Sequence, residues 1–179
     1  GIDYFDEKGN NLRKTFLRSP LNFSRISSRY SKKRFHPILK RYKSHLGTDY
    51  AAPRGTPIRS VADGVVTEAT RNRGNGIYVK IKHNNKYSTQ YLHMSKFAKK
   101  IKKGVKVAQG QTIGYVGSTG LASGPHVCFR FWKNGIQVDP YKQNDLPPGE
   151  PISQIHRNTF EYIRLNYLEE VRIMLQKEL

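Results

Sequence analysis

The chain has 179 residues, 36% of them hydrophobic, at a mean hydropathy of −0.70, enough for one cored domain and a terminal extension. Its apolar residues come in short alternating bursts, which excludes a disordered composition, and no run approaches the roughly 20 residues of a membrane span. With 32 Lys+Arg against 13 Asp+Glu, the net charge of +19 calls for a polyanionic partner: nucleic acid, an anionic membrane or an anionic cell-wall polymer. The single cysteine excludes an internal disulfide. No signal peptide is visible and the chain opens on Gly1, as expected of a piece of a longer protein whose targeting segment lies elsewhere.

In chain order, "YFDEKGNNL" (residues 4–12) sets two apolar stubs around a turn and predicts a hairpin. "FSRISSRYSKKRFHPILKRYKSH" (residues 23–45) is basic and Ser-rich with little periodicity, so it reads as a long loop or short strands. From Leu46 to Tyr141, Gly and Asn-Gly punctuation separates short β-type bursts such as "VVTEAT", "IYVKIKH", "YSTQYLH", "TIGYVG" and "HVCFRFW". In "IYVKIK", Ile77, Val79 and Ile81 alternate with Tyr78, Lys80 and Lys82, the period of a strand with one buried face. Short strands with frequent turns predict a mainly β fold, a compact antiparallel sandwich or barrel-like domain. Two stretches, "GTPIRSVADGVV" and "GVKVAQGQTIGYVG", echo each other and suggest an internal duplication. After Pro147, Pro148 and Pro151 the tail lacks glycine, and Phe160, Ile163, Tyr167, Val171 and Met174 fall at helical spacing. A C-terminal amphipathic helix is expected, which either packs on the β domain or mediates an oligomer. The expected division is 1–26 (hairpin extension), 27–146 (β domain) and 147–179 (Pro-rich boundary and helix).

Three of the six histidines have companions with chemistry. "HLGTD" sets His45 and Asp49 around Gly47, in a turn leading into a strand. "HVC" sets His126 and Cys128 on one face of a strand, and "YSTQYLHMS" brings His93 to a strand end. Imidazole, carboxylate and thiolate are all zinc donors, and a hydrolytic zinc needs three of them plus an open position. His45, Asp49 and one of His126 or Cys128 would make that set, leaving other histidines for proton transfer. Of the remaining histidines, His36 is expected to shape a loop, His83 to be solvated in a turn, and His156 to lie near the helix start.

Taken together, "RFHP" (Arg34 to Pro37), "HLGTDYAAPRGTPIRSVADGVV" (His45 to Val66), "YLHMS" (Tyr91 to Ser95), "VAQGQTIGYVGSTG" (Val107 to Gly120) and "GPHVCF" (Gly124 to Phe129) resemble the lysostaphin/LytM-type zinc metallopeptidases. These enzymes cut peptide cross-links in bacterial peptidoglycan. The resemblance runs from about Ser27 to Tyr141. It implies Zn²⁺ as cofactor, His45 and Asp49 as ligands, and His93 and His126 as the groups acting on the attacking water and the oxyanion. The second histidine of the family's H-x-H element is the third ligand, and here that position is Cys128. It implies peptidoglycan as partner and the cell envelope as location, with the basic run Lys96 to Lys106 holding the protein on an anionic wall. Nucleic acid, supported by charge alone, is not the expected partner. The rival reading is a catalytically silent LytM-type module that binds wall or regulates a hydrolase.

Overall fold

A computed structural model describes residues 5–23, 25–36, 41–143, 148–149 and 151–177. Tyr4 of the predicted hairpin, Pro37 of the Arg34–Pro37 landmark and Pro147 of the boundary lie outside the described residues. The chain divides into two compact units, Phe16–Asn144 and a second formed by Gly1–Thr15 with Asp145–Leu179.

The strands in chain order are β1 (Asn11–Lys14), β2 (Arg25–Ser28), β3 (Ser31–His36), β4 (Arg41–His45), β5 (Thr48–Ala51), β6 (Pro57–Arg59) and β7 (Gly64–Asn72). They continue with β8 (Gly76–Lys82), β9 (Tyr87–Phe97), β10 (Lys106–Val107), β11 (Thr112–Val116), β12 (His126–Lys133), β13 (Ile136–Val138) and β14 (Pro148–Gly149), before helix α1 (Gln154–Lys177).

In the larger unit β10, β7, β8, β9, β12, β5 and β2 are neighbours in that order, all antiparallel. β13 pairs with β12, and β11 joins β9 to β6. The mainly β, antiparallel architecture expected from the short alternating bursts is the one that forms. Period two does the positioning. On β12, Val127, Phe129 and Phe131 are buried toward the core while His126, Cys128 and Arg130 take the opposite face. Across the ladder Phe129 meets Tyr91 and Phe131 meets Thr89. Each such apolar side chain contributes about 1.5–3 kcal/mol on leaving water. Phe16 packs edge-on against Tyr87 and Phe131, at 5.4 and 5.2 Å between centroids, which seats the segment before β2 in this core.

β8 departs from the simple alternation. Val79 and Ile81 are fully buried as the pattern predicts, but Ile77 is only half-buried, and Tyr78 on the other face is buried too. Tyr78 joins Leu92 and Cys128 in a small apolar cluster, so the second face of the sheet is itself covered there. The two echoing stretches pair with each other: β6 lies against β11 and β7 against β10, with the Ser60 amide donating to the Gln111 carbonyl between them. The basic segment forms short strands, and β3 and β4 pair with most of β4 exposed.

In the smaller unit a bridge from Phe5 to Asn11 closes a turn whose Asp6 carboxylate accepts from the Lys8 and Asn10 amides. β1 then pairs with β14 rather than completing a long hairpin. Helix α1 runs for 24 residues without Gly or Pro, with Glu161 bonded to Arg157 and Arg164 along its surface. Phe5 meets Phe160 edge-on. The rest of the predicted stripe, Ile163, Tyr167, Val171 and Met174, is exposed. Among the described residues no helix is long and apolar enough to cross a membrane.

Candidate metal centre

The site lies in a cleft of about 470 Å³ in the larger unit, where β4, β5, β9 and β12 meet. Register brings its floor together. Cys128 stands directly opposite Asp49 across the β12–β5 ladder, so both side chains leave the sheet on one face. His45 ends β4 and returns over them through Gly47. A Cβ at Gly47 would lie 2.9 Å from the Phe129 carbonyl oxygen and 3.0 Å from Cys128 Sγ, so only glycine lets this turn press against β12.

The result is a convergence of donors. His45 Nε2, a carboxylate oxygen of Asp49 and Cys128 Sγ lie within 4.8 Å of one another, and all three residues are buried. His45 Nε2 is 2.9 Å from Asp49 Oδ1 and 3.5 Å from Cys128 Sγ. His45 Nδ1 donates to the Arg29 carbonyl at 3.1 Å, which leaves Nε2 with a lone pair facing a carboxylate oxygen. Two acceptors that close need a proton or a metal ion between them. Zinc bonds of about 2.0 Å to nitrogen and about 2.3 Å to sulfur, at tetrahedral angles, separate those atoms by about 3.5 Å. The donor set therefore fits zinc.

His93 and His126 complete the cleft wall, their rings 4.7 Å apart. His93 Nδ1 donates to the Thr119 carbonyl at 2.7 Å, and His126 Nδ1 to the Gly124 carbonyl at 2.8 Å. All three site histidines thus follow one rule: a backbone carbonyl fixes the Nδ1 proton and Nε2 is presented to the cleft. His126 Nε2 is 3.9 Å from Asp49 Oδ1. Strand alternation from Tyr91 would turn His93 into the core. Instead His93 adopts φ 63°, and the β8–β9 register slips between Ile77 and Val79. The local twist turns the ring to the cleft, a backbone strain kept at the site.

Charge in the cleft is arranged around Asp49. Burial works against its ionised form, yet the His45 ring beside it, followed by His126 and the Cys128 thiol, outweighs that and holds the carboxyl below its ordinary value. Burial pushes His93 down to about 4, so its ring is neutral near pH 7. Burial, then the Asp49 charge, pushes the Cys128 thiol up, while the Arg130 guanidinium bonded to it works the other way, and a bound cation favours the thiolate further.

All five residues singled out from the sequence line this one cleft. Arg34 and Arg130 were missed. Arg34 bonds the Ser28 hydroxyl and lies 3.6 Å from Asp49 Oδ2, steadying the carboxylate from behind. Arg130 follows Cys128 by two places on the same strand face, so the alternation that paired His126 with Cys128 also pointed to it. His83 is a correction. It is not a solvated turn residue but bridges the Asp63 carbonyl and the Thr89 hydroxyl, at 2.7 Å each, because the turn folds back over the core. His36 ends strand β3 rather than shaping a loop, and His156 lies in the first turn of α1.

The family model described as peptidase family M23 matches residues 43–140. The chain belongs to peptidase family M23. It is 44% identical over 158 residues to the peptidoglycan DD-endopeptidase ShyC of Vibrio cholerae, covering 88% of this chain and 36% of that one. A crystal structure of a zinc-containing peptidase from Vibrio cholerae superposes with a TM-score of 0.68 at 38% identity, covering 81% of this chain and 44% of that one. The catalytic domain of lysostaphin from Staphylococcus simulans gives a TM-score of 0.58 at 27% identity, covering 66% of this chain and 90% of that one. The chain spans about a third of the length of the curated relatives it matches.

Proposed function

We propose that the chain is the catalytic part of a zinc-dependent endopeptidase that hydrolyses peptide cross-links or stem peptides of bacterial peptidoglycan in the cell envelope. The observation that carries this reading is the convergence of His45 Nε2, Asp49 Oδ1 and Cys128 Sγ at the floor of an open cleft walled by His93 and His126. The catalytic domain assigned to 27–146 takes in every one of these groups. Relatives named as peptidoglycan endopeptidases support the substrate class.

His45, Asp49 and Cys128 hold the ion, and Arg34 behind Asp49 keeps the carboxylate turned toward it. When bound, zinc supplies Lewis acidity toward a water and toward the scissile carbonyl. Two anionic donors bring the centre to a formal charge of zero, where a His-Asp-His set leaves +1. Proton transfer falls to the histidine pair. With Nδ1 tied to Thr119, His93 accepts the proton of the attacking water at Nε2 and returns it to the amine that leaves. His126, tied to Gly124 at Nδ1, stands beside the carbonyl oxygen and, when a second proton sits on Nε2, donates to it and stabilises the charge that grows there.

The test is digestion of purified peptidoglycan by the zinc-loaded protein, with the products read by mass spectrometry. Conversion of cross-linked peptides to monomers, lost in a His126→Ala variant that still carries zinc, supports the reading. Failure of the zinc-loaded native protein to release any peptide sinks it and favours the silent module.

A further inference from the structure

A thiolate in place of an imidazole adds a second negative charge to a buried floor that already holds the Asp49 carboxylate. Cys128 is 2% exposed and stands opposite Asp49 across the β12–β5 ladder. Two anions buried side by side are unfavourable unless cations answer both of them. Arg34 and the His45 and His126 rings all face the carboxylate. Tyr78 and Leu92 pack against Cys128 and offer the sulfur no charge.

Arg130 supplies the missing cation. It follows Cys128 by two places on β12, on the face that lines the cleft, and its side chain bonds the Cys128 sulfur. Both side chains press on the same turn: a Cβ at Gly47 would lie 3.0 Å from Arg130 Cγ and 3.0 Å from Cys128 Sγ. Across the ladder on β9, the neighbour of Arg130 is the neutral Gln90. Its Nε is buried without a hydrogen-bond partner, and Asp49 is the single acidic residue among the described lining of the cleft. The anion matched to this guanidinium is therefore the thiolate.

We propose that Arg130 is a positioning residue matched to Cys128: it donates to the sulfur, keeps it turned to His45 and Asp49, and returns to the centre the positive charge that a thiolate ligand removes. This rests on the zinc-peptidase reading and deepens it by making the third ligand a pair of residues. Zinc with one carboxylate and one thiolate is formally neutral, and the guanidinium brings the group back to +1, the charge of a His-Asp-His set. An arginine cannot serve an imidazole in the same way. A histidine ligand carries an N–H on its other nitrogen and needs an acceptor beside it, whereas a guanidinium only donates.

Cobalt(II) loaded in place of zinc reports on the sulfur itself, through the absorption band that carries an electron from sulfur to metal. A charged donor bonded to the sulfur holds its lone pair lower in energy and keeps that band at short wavelength. In cobalt-loaded Arg130→Gln the band moves to longer wavelength, and in Arg130→Lys, which keeps the charge, it moves less. With zinc loaded, Arg130→Gln lowers kcat/KM on a cross-linked peptide by about 10–100-fold while zinc content is unchanged. In the Cys128→His background the same Arg130→Gln change causes no loss, because the amide oxygen accepts from the imidazole. A band that stays in place in both Arg130 variants overturns the pairing. An equal loss of turnover in the two backgrounds overturns it as well, since that is the mark of a role in folding or substrate binding. A band that moves as stated, in a protein that cuts no peptide, leaves the pair standing and sinks the peptidase reading.

Discussion

Gly76→Ala tests whether the orientation of His93 is built from a distance. Gly76 has φ 65°, and an added Cβ would lie 2.3 Å from the Thr119 carbonyl oxygen, the same oxygen that accepts from His93 Nδ1. An alanine at positive φ costs about 1–2 kcal/mol. Opening an overlap with backbone that cannot rotate away adds about 1–3 kcal/mol. The Thr119 hydroxyl ties the same carbonyl to its neighbours, accepting from the Ile77 amide and donating to the Met94 carbonyl, so the strain passes directly to the residue after His93. The expected loss of about 2–5 kcal/mol lowers the melting temperature by about 10 °C. Loss of the carbonyl that fixes the His93 ring lowers kcat about 10–100-fold. Zinc content is expected to stay near one per chain, because the proposed ligands stand on β4, β5 and β12. The assay pairs thermal melts with zinc analysis and turnover on a cross-linked peptide, using Gly74→Ala as the stability control, since its Cβ meets nothing nearer than Asn72 Oδ1 at 3.8 Å. Native turnover in Gly76→Ala refutes the argument.

Three further outcomes follow from the same geometry. Cys128→His keeps one zinc and peptidase activity while raising the formal charge of the centre from zero to +1; complete loss of zinc in elemental analysis contradicts the ligand assignment. Stripping zinc with a chelator removes about 4 kcal/mol of linked stability where free zinc stood a thousandfold above its dissociation constant, and an unchanged melting curve after stripping counts against a site in the folded core. His83 is held below its ordinary value by burial, against the Asp63 carbonyl that works the other way. The unfolded chain then binds the extra proton, so this contribution is intact above about pH 6.5 and is lost as pH falls below it. His83→Gln flattens that acid limb in urea titrations at stepped pH, and an unaltered slope shows that His83 does not carry it.

Much of the site was readable because period two is a strong signal. His126 and Cys128 share a face for the same reason that Val127 and Phe129 share the other. Gly47 between His45 and Asp49 announced a tight turn, and the close approach to β12 accounts for it. His93 was legible as a strand-end histidine, but its direction was not. Alternation sends it inward, and what turns it outward is a positive φ supported by Thr119 and Gly76, residues far along the chain whose contact no local pattern records. Arg34 and Arg130 were absorbed into a general positive charge because the sequence cannot say which cations face a cleft. His83 misled for the opposite reason: a polar turn reads as solvated until Asp63 and Thr89 close over it. The tail helix was predicted from its apolar spacing, yet that spacing does not bury Ile163, Tyr167 or Met174.

The proposed zinc centre is completed by a thiolate from Cys128 beside His45 and Asp49. X-ray absorption at the zinc edge of the loaded protein measures this directly. A Cys128 ligand gives one sulfur at about 2.3 Å beside nitrogen and oxygen neighbours at about 2.0 Å. A zinc shell of nitrogen and oxygen alone, with no sulfur, would contradict it.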